Sequence, residues 1–234
     1  MNSHHTPTPD PAVSAVSDSS SRRPLSLREE GRQRERLAVY FLSLPPGAPD
    51  CLAGKPGDDY RRAARELSSL ELSSVLQLAG QSRPPLRCGD AAALFRAVAQ
   101  AAARRLADQK IELTAELPDA PVITTMEPRL AVFSLLRLFR EATAFPREGR
   151  VLFRFRACPE RLLFTVAGGP GFSTAPTMAL IRETARLHGG GAVFSEDGVA
   201  FSFTRNAGAA VGFFDPPTPE ALRAPLSPVT LELY

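Results

Sequence analysis

Residues 162–191, LLFTVAGGPGFSTAPTMALIRETARLHGGG, constrain the fold more than any other stretch of this chain. An alternating apolar run ends in Gly169-Pro170-Gly171, a short helical pattern follows, and that pattern stops at Gly189, Gly190 and Gly191. Gly-Pro-Gly lets the backbone turn sharply where a side chain would clash, and glycine after a helix permits the left-handed cap that Ala or Leu resists. The segment therefore reads as a strand, a turn and a helix with chain reversal fixed at both ends. By itself this is a structural connection and specifies no chemistry.

Upstream, residues 1–24 are Ser, Pro, Thr, Asp and His with almost no large apolar side chain, a composition expected to stay disordered. His4 and His5 fall in this tail and read as solvated. Residues 25–44 run from charged (REEGRQRER) to apolar (LAVYFLSL), which suits a helix ended by Pro45-Pro46-Gly47. A second helix starts at Asp58 or Asp59, presents Ala63, Leu67, Leu70, Ser74 and Leu78 on one face, and stops near Gly80. Together they predict an antiparallel helical hairpin over residues 25–85, a unit that usually pairs with a second copy or another partner.

Asp90 is placed to cap a helix reaching about residue 107, followed by strands in IELTAEL and VIT. The most apolar helix spans residues 125–145, with Leu130, Phe133, Leu136, Phe139 and Ala142 in one stripe and Leu135 and Leu138 beside it, a breadth that calls for burial on more than one side. VLFRFRAC and RLLFTVAG alternate as strands, with Val151, Phe153, Phe155, Leu162, Phe164 and Val166 toward the core and Arg154 and Arg156 on a wetter face. GAVFSE and VAFSFTR form a hairpin around Asp197-Gly198. His188, at the helix exit, is expected to cap carbonyls; a lone His without a partner acid or nucleophile is a poor catalyst. Residues 207–234 are Pro-rich, and Val229, Leu231 and Leu233 alternate as in a terminal strand.

The predicted fold is therefore α+β: a two-layer sandwich with a mixed, mostly antiparallel sheet and helices on one face over residues 86–206, preceded by the α-helical hairpin. A net charge of +3, spread along the chain, gives no reason to expect nucleic-acid binding. Cys51, Cys88 and Cys158 form no CxxC pair and read as reduced, buried thiols of a cytoplasmic protein. No apolar run approaches the ~20 residues of a membrane span.

This order of elements resembles the ATP-binding domain of bacterial sensor histidine kinases, of the superfamily shared with gyrase B and the heat-shock chaperone. The likeness covers residues 90–205, about half the chain. EPRL at residues 127–130 resembles the entry to the helix that carries the magnesium-binding asparagine box, L-L-x-N-L-L-x-N-A-x-K-F. The chain reads LLRLFREATAF there, which puts Arg137 and Glu141 at the asparagine places and Ala144 at the lysine place. The family's next strand ends V-x-D-x-G-x-G; Gly169 and Gly171 match its glycines, while Ala167 stands where the adenine-binding aspartate belongs. The lid is all but missing, Ser173, Ala175 and Thr177 take the places of the second glycine box, and the helix exit LHGG matches at residues 187–190, including Gly189.

The resemblance thus implies a vestigial nucleotide site at Glu141, Ala167, Gly169, Gly171 and Gly189, with no catalytic residue and no metal site. An Asp–adenine bond is worth ~1.5–3 kcal/mol and phosphate cradling needs close backbone approach. Two losses of ~2 kcal/mol weaken binding about a thousandfold if they add. The phosphoacceptor hairpin of these kinases carries a histidine, and residues 25–80 contain none. The expected function is a non-catalytic signalling or scaffold protein without cofactor, a homodimer through its hairpin, with a response regulator or other signalling protein as partner. The alternative is a diverged histidine kinase or ATPase that binds ATP and Mg through Gly169, Gly171 and Glu141.

Overall fold

The computed structural model describes residues 85–144, 149–168, 175–206, 208–224 and 227–233. The expected tail, the helical hairpin, Cys51, Gly169 and Gly171 lie outside them. In chain order the elements are β1 (Arg87–Asp90), α1 (Ala91–Ala107), β2 (Glu112–Glu116), β3 (Ile123–Met126), α2 (Pro128–Ala144), β4 (Arg150–Ala157), β5 (Arg161–Ala167), α3 (Ala175–Leu187), β6 (Ala192–Phe194), β7 (Gly198–Thr204), a single 3-10 turn (Ala221–Arg223) and α4 (Pro228–Glu232).

Five strands form one sheet in the order β2-β4-β5-β7-β6, with β2 parallel to β4 and the remaining pairs antiparallel. Its register places Phe155 opposite Phe164 and Phe164 opposite Phe201, so three phenyl rings stand in a row across the sheet. Centroids 5.0 and 4.6 Å apart make them stacked, and Phe95 of α1 meets Phe164 edge-on at 5.1 Å. The apolar strand positions read from alternation are all buried in this core, together with Leu135, Leu136, Leu138 and Phe139 of α2. The breadth of the α2 stripe has its predicted cause: α2 packs on the sheet, on α1 and α3, and on α4. The fold is α+β with a mixed five-stranded sheet.

Asp90 caps α1 as expected, its Oδ1 accepting from the amides of Ala92 and Ala93, and the same oxygen accepts from Val122 at 2.9 Å. Strand β1, which sequence reading did not find, pairs antiparallel with β3. The chain after β7 then runs beside β1: Cys88 donates to the Gly212 carbonyl and accepts from Phe214.

Four expectations need correction. The apolar helix starts at Pro128 rather than at residue 125, because Thr125 and Met126 belong to β3 and pair with β1. Residues 227–233 are not a strand. Ser227 caps a helix through its hydroxyl, Pro228 supplies the preset first-turn φ, and Val229 and Leu233, four apart, are buried on the same side. Cys88 and Cys158 are free but half-buried, because β1 and the end of β4 leave them at the rim of the core. The three glycines after α3 do not share one role. Gly189 alone is left-handed, at φ +69°, closing the helix with its own N–H on the Arg186 carbonyl and that of Gly190 on Ala185. Gly190 is required by contact, since a Cβ there would lie 1.7 Å from the Ser202 carbonyl oxygen.

Candidate functional site

Glu127 immediately precedes helix α2, and its carboxylate accepts from the Leu130 amide at 2.6 Å. Burial raises the pKa of this carboxyl, against the opposing pull of the Leu130 N–H. Its backbone N–H in turn donates to Nε2 of His188 at 3.0 Å, while Nδ1 of that ring bonds the Thr184 carbonyl at 2.7 Å. The ring is neutral with its proton on Nδ1, fully buried and stacked on Phe203 at 4.1 Å, and burial lowers its pKa. His188 caps a carbonyl as expected. It also bolts the exit of α3 to the entry of α2, a second role its position did not announce. One helix turn on, Ser134 and Thr184 share a buried hydrogen bond of 3.0 Å.

This bolt fixes where the sequence-derived site residues fall. Gly189 adjoins His188 at the entry end of α2, whereas Glu141 is fourteen residues along the helix, ~20 Å away at 1.5 Å per residue. Ala167 ends β5 and pairs with Leu152 near the start of β4, the strand that follows α2, so it lies at the Glu141 end. Glu141 and Ala167 therefore share one end of the layer, and Gly189 is a helix cap at the other. Ala167 pairs with Gly198 at the start of β7 and offers no side-chain acceptor.

Arg137, at the first asparagine place by resemblance, is committed elsewhere. Its Nη1 lies 3.2 Å from Oε2 of Glu232 on α4, and its guanidinium sits 5.8 Å from the Phe133 ring centroid. Arg140 reaches the same oxygen at 3.6 Å. Glu232 is 2% exposed. Sequence reasoning missed both Arg140 and Glu232; the acid lies 95 residues from Arg137, and no local pattern links them. Arg154, expected on a solvated face, is there and holds the Glu116 carboxylate, which lowers the pKa of that acid.

A cavity of about 530 Å³ opens at the entry end of α2, between α1, α2, residues 213–222 and Ser227-Pro228. Leu94, Val132, Phe133, Phe214 and Leu222 line it, with the exposed Arg87, Arg129 and Asp215 among its walls. It lies away from Glu141 and Ala167. Among the described residues no cluster of His, Cys, Asp and Glu is arranged to hold a metal, and no helix is long and apolar enough to cross a membrane.

No protein-family model and no curated protein matches the sequence. Solved structures do. The histidine kinase AdeS of Acinetobacter baumannii superposes with a TM-score of 0.52 at 18% identity, covering 78% of this chain and 98% of that one. The nucleotide-free catalytic domain of histidine kinase ThkA gives 0.44 at 15% identity over 52% and 98% of the two chains. The ATP-binding domain of PrrB from Mycobacterium tuberculosis gives 0.40 at 13% identity over 53% and 98%. Of these three, AdeS alone exceeds 0.5, and by that superposition the chain has the fold of a histidine kinase-like ATPase domain.

Proposed function

We propose that this chain is a non-catalytic signalling or scaffold protein on a histidine kinase-like fold, acting through protein–protein contacts without nucleotide turnover. The observation that carries this is the placement of Arg137. Where a nucleotide-binding helix would present a polar side chain to its ligand, Arg137 is tied to a buried carboxylate of the same chain. Ala167 has only a methyl group where an adenine acceptor would stand, and Gly189 serves as a helix cap far from Glu141. Residues 25–80 supply a homodimer interface, and a response regulator or another signalling protein in the cytoplasm is the expected partner.

A second reading keeps one supporting observation: Glu141 and Ala167 do lie at the same end of the fold, where a carboxylate oxygen suits a magnesium-bridged phosphate. Calorimetry with Mg-ATP and Mg-ADP separates the two. Negligible heat is expected from both nucleotides, and a dissociation constant in the low micromolar range or tighter overturns the non-catalytic function in favour of a diverged ATPase.

A further inference from the structure

Arg137 and Arg140, one turn apart on α2, direct their Nη1 atoms at a single oxygen, Oε2 of Glu232, at 3.2 and 3.6 Å. The carboxylate is shut from water and is carried by α4, which is seated through Val229 and Leu233 and by Gln109 Nε2 donating to the Leu233 carbonyl at 2.7 Å. Two guanidiniums converging on one oxyanion is the arrangement that recognises phosphate, because the cation is permanent, weakly hydrated and rich in fixed donors. Two like charges three residues apart on one helix repel each other when no anion lies between them. The pair thus selects a negative occupant, whatever its source.

We propose that Arg137 and Arg140 form a binding site for phosphate-class oxyanions that the chain's own Glu232 fills, and that an incoming phosphate group competes with Glu232 and loosens α4 from its seat on α1 and α2. Covalent attachment gives Glu232 a high effective concentration, so the native chain takes up a free oxyanion weakly. Neutralising Glu232 uncovers the site without emptying the space it fills.

The test is calorimetry and thermal melting of the full chain with pyrophosphate, in native, Glu232→Gln and Glu232→Gln/Arg137→Ala forms. Glu232→Gln is expected to bind pyrophosphate at least about tenfold more tightly than the native chain and to melt higher in its presence, and adding Arg137→Ala is expected to return affinity to the native level. Equal binding by native and Glu232→Gln chains, or undiminished binding by the double variant, overturns the proposal. If Glu232→Gln does not fold, amide exchange of the native chain in millimolar pyrophosphate decides: faster exchange over residues 227–233 supports competition, and unchanged exchange overturns it. Pyrophosphate has no adenine, so tight Mg-ATP binding by the native chain would sink the non-catalytic function while leaving the variant series to judge this site alone.

Discussion

Removing the ring at the centre of the phenyl row tests the core assignment most directly. Phe164 is 1% exposed and its ring lies within 5.1 Å, centroid to centroid, of Phe95, Phe155, Phe201 and Phe203. Phe164→Ala removes one buried ring and leaves a cavity, a change that costs ~3–5 kcal/mol. Four aromatic neighbours, each pair worth ~0.5–1.5 kcal/mol beyond burial and not additive, put this site at the upper end, near 5 kcal/mol. That is a third or more of the ~5–15 kcal/mol that holds a typical domain together. For a domain of this size it corresponds to a fall in melting temperature of roughly 15–20 °C. Leu163→Ala, one residue back and on the opposite face with 39% exposure, is the control and should cost less than ~1.5 kcal/mol. Urea unfolding followed by far-ultraviolet circular dichroism measures both. Equal losses in the two variants, or a loss at Phe164 below ~1.5 kcal/mol, would mean that β5 does not present Phe164 to the core.

The His188 bolt makes stability depend on pH. Burial depresses the folded-state pKa of His188 below 6.5, so the unfolded chain takes up a proton that the folded chain refuses, and stability present above about 6.5 is lost as pH falls below it. Glu127 acts in the opposite sense: its raised pKa lets the folded chain protonate first as pH falls toward 4.5, which offsets part of the loss at the acid end. Melting curves from pH 8 to 5 should show the decline in the native chain and a flatter profile in His188→Gln; the same slope in both removes His188 as its cause. Ala167→Asp alone should not restore nucleotide affinity, and calorimetric binding of Mg-ATP at low micromolar strength by that variant would show the phosphate end to be intact. Light scattering should find a dimer for the full chain and a folded monomer for a chain starting at residue 82, which preserves β1; a full chain that runs as a monomer removes residues 25–80 as the dimer interface.

Much of the architecture is legible because its cause is local. The alternation of Val151, Phe153 and Phe155 against Arg154 and Arg156 is the pleat itself, and the Asp197-Gly198 turn is joined by the Ser195 N–H donating to the Gly198 carbonyl. Strand β1 escaped because RCGD has no apolar period; its pairing is set by β3 and by the chain near Gly212. The C-terminal helix is ambiguous in sequence because Val229, Leu231 and Leu233 satisfy a two-residue period while Val229 and Leu233 also satisfy a helical one. Ser227-Pro228 was the signal that resolves it, a cap followed by a first-turn proline. At the site, Arg137 could be placed on its helix from sequence, yet its partner is fixed only by the way α4 packs on α2. No spacing rule reaches across that distance.

The single oxygen of Asp90 that gathers three amides has a consequence for how the molecule breathes. Two of those amides open α1, and the third, Val122, leads into β3; the Ala91 N–H returns a bond to the Val122 carbonyl at 2.9 Å. Any opening of the first turn of α1 that displaces Asp90 or Ala91 therefore also breaks bonds to residue 122. The start of one helix and the approach to a strand some thirty residues later open and close as one cooperative unit. A helix end that is ordinarily among the first parts of a domain to exchange with solvent is thereby raised toward the stability of the sheet edge it is wired to.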